Sequence, residues 1–444
     1  MVAEATREKS IYARMFAALK ERLGAREASW TKRLREDAME RFEQLGFPST
    51  FDEEWKYTNL APLSKRQFEP GFESKNIELE SGALEMAAYP EAKGSRLVFV
   101  NGLFKRELSS LDALPRGVVA ENLSDALQGE RSEVVRERLA RYAEYNENAL
   151  VALNTAFASD GAFLLIPKAV RLETPVHLLF LSVPQSSPVV SFPRVLVVAE
   201  AQSEATLIES YASLEEGEYW TNAVVEVLLG DGARLEHYKI QRESLRAFHT
   251  ATTQVELGAA SSFDTTTITL GAELSRHDIN VGMRARGAEC RVDGLYMVST
   301  GQHTDTHSLI EHAEPHCTSR QLYKGIMDGK SRAVFNGKVF VREGALQTDA
   351  QQTNRNLLLS NEARVDTKPQ LEIFADDVKC AHGATVGQLE EEELFYLISR
   401  GLRPELARNL LTYGFAEEVI AKIRIESIKA QLDEVVLNRL QAKL

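Results

Sequence analysis

The stretch CRVDGLYMV, residues 290–298, alternates residue by residue between two chemically different faces. One face carries small or largely apolar side chains, at Cys290, Val292, Gly294, Tyr296 and Val298. The opposite face includes Arg291, Asp293 and Leu295. A period of two is typical of a β-strand that buries one face. Strand-like runs follow one another from about residue 162 to residue 387, so the sequence predicts a mainly β core.

A weak repeat suggests how these strands are arranged. Small residues that open a new strand recur at intervals of 28, 28, 27, 28 and 29, at Ala205, Ala233, Ser261, Ala288, His316 and Ala345. A period near 28 with two strand runs per period predicts a parallel β-helix, because one coil cannot bury its face alone and stacked coils share a core. An antiparallel sandwich stays open at this point, because hairpin signals also occur. They are Asn101-Gly102, Asp160-Gly161, Asp231-Gly232, Asp293-Gly294, Asp328-Gly329 and Asn336-Gly337.

Helical sequences flank the β core. Residues 11–45 are rich in helix formers and stop at Gly46 and Pro48. A helix is predicted around residues 131–145, and three more at 390–400, 404–413 and 416–444. The chain thus divides into an N-terminal helical region (1–95), a mixed connecting region (96–160), a parallel β-helix core (161–387) and a C-terminal helical subdomain (388–444).

Two sets of residues on the flanking regions are candidates for contacts. We expect Trp55 and Tyr57 to dock the N-terminal arm onto the body. The C-terminal helices carry apolar residues that fit either their own core or a partner, at Phe395, Leu397, Ile398, Leu410, Leu411 and Phe415.

Composition excludes several classes of protein. The 444 residues carry a formal charge of −13, which disfavours binding to nucleic acid or to an anionic membrane. The start lacks an apolar signal region, and no run approaches 18 apolar residues. Three cysteines are too few for a disulfide framework and indicate a reducing compartment, so we expect a cytoplasmic protein.

The segment DTKPQLEIFADDVKCAHGATVG, residues 366–387, carries the strongest candidate site. Cys380 and His382 are two residues apart, so in a strand they share a face and lie about 6.6 Å apart. Asp376 and Val378 are expected on the same face. A thiolate and an imidazole suit iron or another soft metal, but two ligands do not complete a coordination shell. The remaining ligands must come from elsewhere, for example from a second chain; the alternative is a buried cysteine beside a hydrogen-bonded histidine.

Two other constellations are weaker. HTDTHSLIEHAEPHC, residues 303–317, has His303, Asp305 and His307 on one strand face, where they could bind zinc or iron or form a polar ladder on a solvated face. GIMDGKS, residues 325–331, has three residues between its glycines where a phosphate-binding loop needs four. An apolar β run follows it, so we interpret it as a turn between strands. No enzymatic constellation is recognisable.

Several long segments resemble the SufB/SufD family of iron–sulfur cluster assembly proteins. They are EEWKYT (53–58), YKGIMDGKSRAVFNGKVFV (323–341), TDAQQTNRNLLLS (348–360), DTKPQLEIFADDVKCAHGATVG (366–387) and LFYLISRGL with ARNLLTYGF (394–402 and 407–415). The fourth segment looks like the SufD branch of the family. Ala381 stands where that branch is expected to have Ser, on the strand face opposite Cys380 and His382.

The resemblance implies a right-handed parallel β-helix between N-terminal and C-terminal α-helical regions. It implies a non-catalytic scaffold in a complex with SufB and the ATPase SufC. The C-terminal helices would dock the SufC-type ATPase, and the end of the β-helix would pair with a SufB-type subunit or a second copy. Cys380 and His382 would lie near the SufB interface and bind iron or a cluster transiently, with no cofactor held stably by this chain alone.

Two rival functions belong to other classes. β-Helices often carry carbohydrate-active enzymes, for which Asp305 with His303 and His307 is the one modest candidate set. The chain could also be a purely structural homodimer that uses its solenoid edge strands.

Overall fold

The computed structural model describes residues 2–24, 27–74, 77, 79 and 82–441. Its α-helices are α1 (Val2–Leu23), α2 (Ser29–Leu45), α3 (Ala61–Ser64), α4 (Ala83–Ala87), α5 (Leu123–Gln128), α6 (Ser132–Arg138), α7 (Ala149–Phe157), α8 (Glu391–Ser399), α9 (Pro404–Ile420) and α10 (Glu426–Gln441). Short 3-10 helices cover Glu53–Trp55, Gly71–Glu73, Pro90–Ala92 and Arg106–Leu108. Among the described helices, none is both long and apolar enough to cross a membrane.

The strands dominate the molecule. In chain order they are β1 (Glu69–Pro70), β2 (Arg96–Val100), β3 (Leu103–Phe104), β4 (Val119–Asn122), β5 (Gly161–Ile166), β6 (Val176–Ser182), β7 (Val189–Ser191), β8 (Arg194–Ala199), β9 (Glu204–Ser213), β10 (Tyr219–Leu229), β11 (Arg234–Arg242), β12 (Phe248–Leu257), β13 (Ser262–Thr269), β14 (Leu274–Met283), β15 (Glu289–Val298), β16 (His303–His312), β17 (Thr318–Met327), β18 (Arg332–Val341), β19 (Thr348–Leu358), β20 (Arg364–Ile373) and β21 (Val378–Gly387).

These strands form a parallel β-solenoid with two sheets. Sheet A runs β20-β18-β16-β14-β12-β10-β8-β5-β4, with β1 and β7 beside it, and sheet B runs β21-β19-β17-β15-β13-β11-β9-β6-β2-β3. Successive coils contribute one strand to each sheet, and neighbouring coils pair in parallel. The predicted parallel solenoid is confirmed and the sandwich is excluded. The predicted connecting region, residues 96–160, contributes β2, β3 and β4 to the two sheets.

The coils are less uniform than the predicted repeat of about 28 residues. Arg234 pairs with Ser262, Ser262 with Glu289 and Glu289 with Thr318, giving coils of 28, 27 and 29 residues. The next pairing, Thr318 with Asp349, makes a coil of 31. Ala233, Ser261 and Ala288 therefore occupy equivalent positions. Ala205, His316 and Ala345 were assigned wrongly, because the turns between strands differ in length.

Alternation along the strands sorts side chains between the solenoid interior and its outer faces. Cys290, Val292, Tyr296 and Val298 belong to the interior core, as the opening stretch predicted. Leu295 lies on the outer face of sheet B, where residues of α9 and α10 cover it. The outer face of sheet A is partly covered by α1, α2 and α7, which pack around Trp220 and Phe248.

The hairpin signals have several different structural roles. Asn101-Gly102 is a true hairpin turn between antiparallel β2 and β3, with φ of 49° and 82°. Asp293-Gly294 instead lies within β15, where the ring of Tyr323 from the next coil crosses over the glycine. A Cβ at position 294 would come within 2.1 Å of that ring, so glycine is required there by packing and not by a turn.

The flanking helices depart from the predicted boundaries. The predicted helix 11–45 is two helices, interrupted after Leu23 by Gly24 at a positive φ of 57°. The helix predicted around 131–145 ends at Arg138, and the following chain turns at Ala140, whose φ is 57°. At the C-terminus α9 continues through Gly414 to Ile420, so the predicted end near residue 413 was wrong.

Candidate functional site

The C-terminal end of the solenoid is open. Among the described residues, β20 pairs only with β18 and β21 only with β19, which leaves one edge of each strand without a hydrogen-bonded neighbour there. Most residues of β21 are exposed, and those of β20 are half-buried. Ile373, Phe374 and Val386 add exposed apolar side chains to this end. A long free strand edge is a template for pairing with another chain.

Cys380 lies on β21 with its side chain toward the interior of the last coil. It packs against a small apolar cluster that includes Val339 and Ala350. The thiol is half-buried and is not part of a disulfide. Burial and the nearby carboxylate of Asp349 raise the pKa of Cys380. The thiol is therefore protonated at neutral pH, and binding a metal would require it to lose that proton.

His382 lies two residues further along β21, on the same face as Cys380. It is exposed, and no coil in the described part of the chain follows β20 and β21 to cover the interior face at this end. Its partner position in the ladder is Gln352 of β19. The expected Cys380–His382 arrangement on one strand face is thus present. Asp376 does not share it, because β21 begins only at Val378.

No complete metal site accompanies the pair. Among the described residues, no group of three or more His, Cys, Asp or Glu side chains is arranged to hold a metal ion. Cys380 and His382 therefore offer at most two ligands, from a surface that is open to solvent.

The residues of the histidine-rich segment 303–317 separate into different environments. His303, Asp305 and His307 lie on the outer face of sheet A, whereas His312 is buried and hydrogen-bonds Ser319 at 2.9 Å. His316 is exposed in the turn before β17, and Cys317 is buried in the core. The segment does not form a single metal site.

Asp305 anchors the N-terminal segment to sheet A. Its Oδ2 lies 2.7 Å from Nη1 of Arg276 and accepts a hydrogen bond from Thr58 Oγ1 at 2.5 Å. The guanidinium of Arg276 in turn lies 4.2 Å from the ring centroid of Trp55. Trp55 is buried and Tyr57 half-buried, so the expected docking of the arm is present.

His307 completes this anchor. Its Nε2 lies 3.1 Å from Asp305 Oδ1, and its Nδ1 lies 3.2 Å from Glu54 Oε2. Burial alone would lower the pKa of His307, but the carboxylates of Asp305 and Glu54 raise it to about 9. Burial would raise the pKa of Asp305, but Arg276 and His307 hold it far below its ordinary value. Both ring nitrogens of His307 are engaged by carboxylates, so this cluster acts as an ionic clamp.

The segment 325–331 is a connection between strands, as interpreted from its sequence. Gly325 lies within β17, where a Cβ would come within 2.1 Å of the Tyr296 ring. Gly329 makes the turn into β18 with a φ of 53°. The backbone here is used by the solenoid and offers no helix N-terminus for a phosphate.

The interior of the last coils is polar, which the sequence did not reveal. Gln321 and Gln352 are buried on neighbouring strands and hydrogen-bond each other at 2.7 Å. Asn354, from the same face of β19, accepts a hydrogen bond from Thr367 of β20 at 2.8 Å. Alternation within TDAQQTNRN predicts that Gln352 and Asn354 share one strand face. Which of them lies beside His382 depends on the register between coils, and the structure pairs Gln352 with His382.

The C-terminal helices present an apolar surface to solvent. Within the described part of α8 no residue is buried. Phe395 is 74% exposed and Tyr396 56%, while Leu406 and Leu410 of α9 are each 48% exposed. Of the six apolar residues singled out from the sequence, Phe395 and Leu410 are exposed and Leu397, Ile398, Leu411 and Phe415 are half-buried.

Comparison with known proteins gives a consistent result along the chain. Residues 181–415 match the family described as "SUF system FeS cluster assembly, SufBD core domain", and residues 6–178 match the "SufBD protein N-terminal region". An iron–sulfur cluster assembly SufBD family protein of Synechocystis sp. is 38% identical over 413 residues, covering 91% of this chain and 90% of that protein. The iron–sulfur cluster assembly protein SufD of Escherichia coli is 33% identical, covering 91% and 93%. SufD of Bacillus subtilis is 28% identical, covering 94% and 95%.

Proposed function

Because the chain belongs to the SufB/SufD family of iron–sulfur cluster assembly proteins, we propose that it is a non-catalytic scaffold subunit of the SufD type. It acts in a complex with a SufB-type chain and a SufC-type ATPase. The open end of the solenoid binds the SufB-type chain, and the C-terminal helices bind the ATPase. Iron or the growing cluster is cargo, which this chain does not retain by itself.

The observation that carries this proposal is the position of Cys380 and His382 on an uncapped strand. A thiolate and an imidazole are established ligands of iron and of iron–sulfur clusters. Both side chains lie on the interior face of the last coil, on a strand whose outer edge pairs with no described strand. A second chain seated on that edge would supply the missing ligands at the same place.

The compartment follows from the cysteines. Cys290, Cys317 and Cys380 are all free thiols. Free thiols and a thiol ligand for iron both suit a reducing compartment, so we propose that the protein acts in the cytoplasm.

The main residue proposed for a carbohydrate-active enzyme is engaged in other contacts. Asp305, the carboxylate that it required, is buried under the N-terminal segment and is engaged by Arg276 and Thr58. A groove of about 630 Å³ lies beside the clamp. Four of the five carboxylates among its described lining residues are engaged: Glu54 with His307, Asp278 with Arg276, Glu53 with Lys368, and Asp52 with the backbone N–H of Ser49. Such committed groups are poorly placed to act as an acid and a base.

The test is anaerobic cluster assembly with the three-protein complex. We expect His382→Ala and Cys380→Ser to lower the cluster yield by about tenfold or more, since even removal of an outer-shell partner of a metal ligand costs about 10–100-fold. Complex formation, followed by co-purification, should be unchanged.

Ala381→Ser is the matched control, because residue 381 lies between the two candidates but on the opposite strand face. It should leave the yield at the wild-type level. A full cluster yield from both His382→Ala and Cys380→Ser would refute the proposed site.

A further inference from the structure

A chain of buried amides leads through the solenoid interior toward the open end. Gln321 Nε2 donates to Ser308 Oγ at 2.9 Å, and Gln352 Nε2 donates to Gln321 Oε1 at 2.7 Å. Ser308 belongs to β16 in sheet A, so the chain crosses from one sheet to the other. All three side chains are at most 4% exposed.

The contact with Gln321 Oε1 gives the orientation of the Gln352 amide in the structure. Because Gln321 presents its oxygen to Gln352, the nitrogen of Gln352 must face Gln321, and the oxygen is left over. That oxygen, Gln352 Oε1, is buried and has no hydrogen-bond partner. Leaving a buried carbonyl without a hydrogen bond costs free energy. We therefore expect Gln352 Oε1 to accept a hydrogen bond when the protein functions.

A glycine in sheet A, Gly337, makes room for the amide of Gln352. A Cβ at position 337 would come within 2.4 Å of Gln352 Nε2. Glycine at this point of β18 therefore makes the room that the amide occupies. The Gln352 side chain, whose Oε1 has no partner, is therefore positioned by the hydrogen bond to Gln321 and by the space at Gly337.

His382 is the next residue in this column toward the open end. Gln321 pairs with Gln352, and Gln352 pairs with His382, so all three occupy the same inward-facing position on successive strands. In the structure Gln352 Oε1 accepts no hydrogen bond from His382, whose exposed ring is free to turn about its side-chain torsions. We propose that Gln352 is a positioning residue for His382, whose ring N–H donates to Gln352 Oε1 and whose other ring nitrogen then faces the open end.

The chemistry of metal-bound histidine explains why such a partner is useful. A histidine that binds a metal through one ring nitrogen almost always donates its other N–H to a carbonyl or carboxylate, which fixes the tautomer and the ring orientation. The amide oxygen of Gln352 is such a carbonyl. This role rests on the proposed function of His382 as an iron ligand, but the hydrogen bond itself can be measured without iron.

The first test measures the tautomer of His382 in the iron-free, full-length chain. Two-dimensional ¹⁵N–¹H spectra of histidine-labelled protein distinguish the two neutral tautomers, and the spectrum of His382→Gln identifies the signal. We expect one tautomer to exceed the other by about fivefold or more in the wild type, because only one of them satisfies the orphan oxygen. Gln352→Met should abolish this preference, and Gln352→Glu, which keeps an acceptor, should retain it.

Asn354→Leu is the matched control, because it removes another buried amide from the same face of β19, one that is paired with Ala384 and not with His382. It should destabilise the core to a similar extent but leave the tautomer preference in place. Gln352→Ser, too short to reach His382, repeats the test if Gln352→Met does not fold. An unchanged tautomer pattern in the folded Gln352 variants would overturn the proposal.

The second test adds Fe²⁺ to the anaerobic three-protein complex. Gln352→Met should weaken Fe²⁺ binding about 10–100-fold, and Gln352→Glu should restore it. If His382→Ala binds Fe²⁺ like the wild type while the Gln352 variants still alter the tautomer, the proposed iron site fails and the positioning contact stands. If His382→Ala abolishes binding but Gln352→Met does not, Gln352 has no positioning role.

Discussion

The clamp formed by Arg276, Asp305 and His307 shows how single residues hold the N-terminal arm. Arg276 and Asp305 are almost completely buried, and each is paired. A buried ion pair contributes little net stability compared with apolar packing, but removing one partner leaves an uncompensated charge. The clamp therefore specifies where residues 53–58 dock more than how strongly the whole chain folds. Glu54 and Thr58 of the segment EEWKYT are explained by this docking.

The clamp should give the stability of the protein a pH dependence that arises from His307. Its pKa rises from an ordinary 6.5 to about 9 in the folded chain. Its contribution is therefore complete below pH 6.5 and is lost as the pH rises through about 9. A shift of this size corresponds to about 3 kcal/mol, because each unit of pKa is worth about 1.4 kcal/mol. Denaturant unfolding at pH 6.5 and pH 9.5 should show that loss in the wild type and not in His307→Asn.

His316→Asn is the control for this measurement. His316 is exposed in a turn with a φ of 63°, a conformation that asparagine tolerates. This variant should keep the full pH dependence, since other groups that titrate near pH 9 are the same in all three proteins. An equal loss of stability in His307→Asn and in the wild type would show that the clamp does not depend on a protonated His307.

Strands were predictable at the scale of single elements because their signal is local. The predicted β region, about residues 162–387, begins within β5 and ends with β21, and the face assigned to residues 290–298 is the face observed. α7 escaped prediction, because all nine of its residues are buried and it has no polar face to reveal a helical period. The lengths of the individual coils were not predicted either, because turns of different length between the strands interrupt the repeat in the sequence.

The same distinction explains which parts of the candidate site were found. Cys380 and His382 share a face because they are two residues apart, which needs no knowledge of the fold. Gln352 lies 30 residues before His382 and joins it only through the register of β19 and β21. A uniform spacing of 28 would have placed Asn354 there instead. Long-range register, set by the packing of whole coils, is not encoded in a short stretch of sequence.

The apolar surface on α8 and α9 leads to a prediction about the ATPase partner. The double variant Phe395→Ser with Leu410→Ser should weaken binding to a SufC-type ATPase by about tenfold or more, because exposed aromatic and aliphatic side chains become anchors once a partner buries them. Its stability should change little, since both side chains are largely exposed in the free chain. Co-purification and titration with the ATPase measure the first effect, and thermal unfolding measures the second.

Phe51→Ser is the matched control, because Phe51 is 95% exposed but lies on the N-terminal segment. It removes more exposed apolar surface than either substitution on the C-terminal helices. Equal loss of ATPase binding in this control and in the double variant would point to a general effect of making the surface more polar and contradict a docking site on α8 and α9.

On the scale of the whole molecule, the two ends of the solenoid differ. At the N-terminal end the parallel sheets finish in antiparallel strands, β3 beside β2 and β4 beside β5. Helices α5 and α6 add apolar packing against β5 and β8. At the C-terminal end no described strand pairs with the outer edges of β20 and β21. β proteins usually protect their edges, so an edge of this length left open supports the proposed pairing with another chain.

This asymmetry predicts the effect of a proline on the free edge. Along a parallel ladder, alternate residues direct their N–H groups to the same side. On β19, Asp349 donates its N–H to the carbonyl of Cys317 in the preceding coil, so its neighbour Ala350 directs its N–H toward β21. Ala350 is paired with Cys380. The N–H groups of Cys380, His382 and Ala384 on β21 therefore point away from β19. Ala384→Pro removes one of these outward N–H groups without breaking the bonds between β19 and β21. Proline is tolerated at such an edge position, so the isolated chain should unfold at nearly the wild-type temperature.

Assembly should respond differently from stability. If a second chain pairs along β21, the proline leaves a buried carbonyl of that chain without a hydrogen-bond donor. We therefore expect Ala384→Pro to weaken association by about tenfold or more. Ala384→Ser, which keeps the N–H, should not weaken it. Sedimentation velocity of the chain alone measures pairing with a second copy, and titration with a SufB-type chain measures the mixed pair. Iron analysis of each anaerobic assembly separates a purely structural dimer from a scaffold, because only the scaffold requires iron at the junction. Unchanged association of Ala384→Pro in both assays would mean that partners do not extend sheet B from this edge.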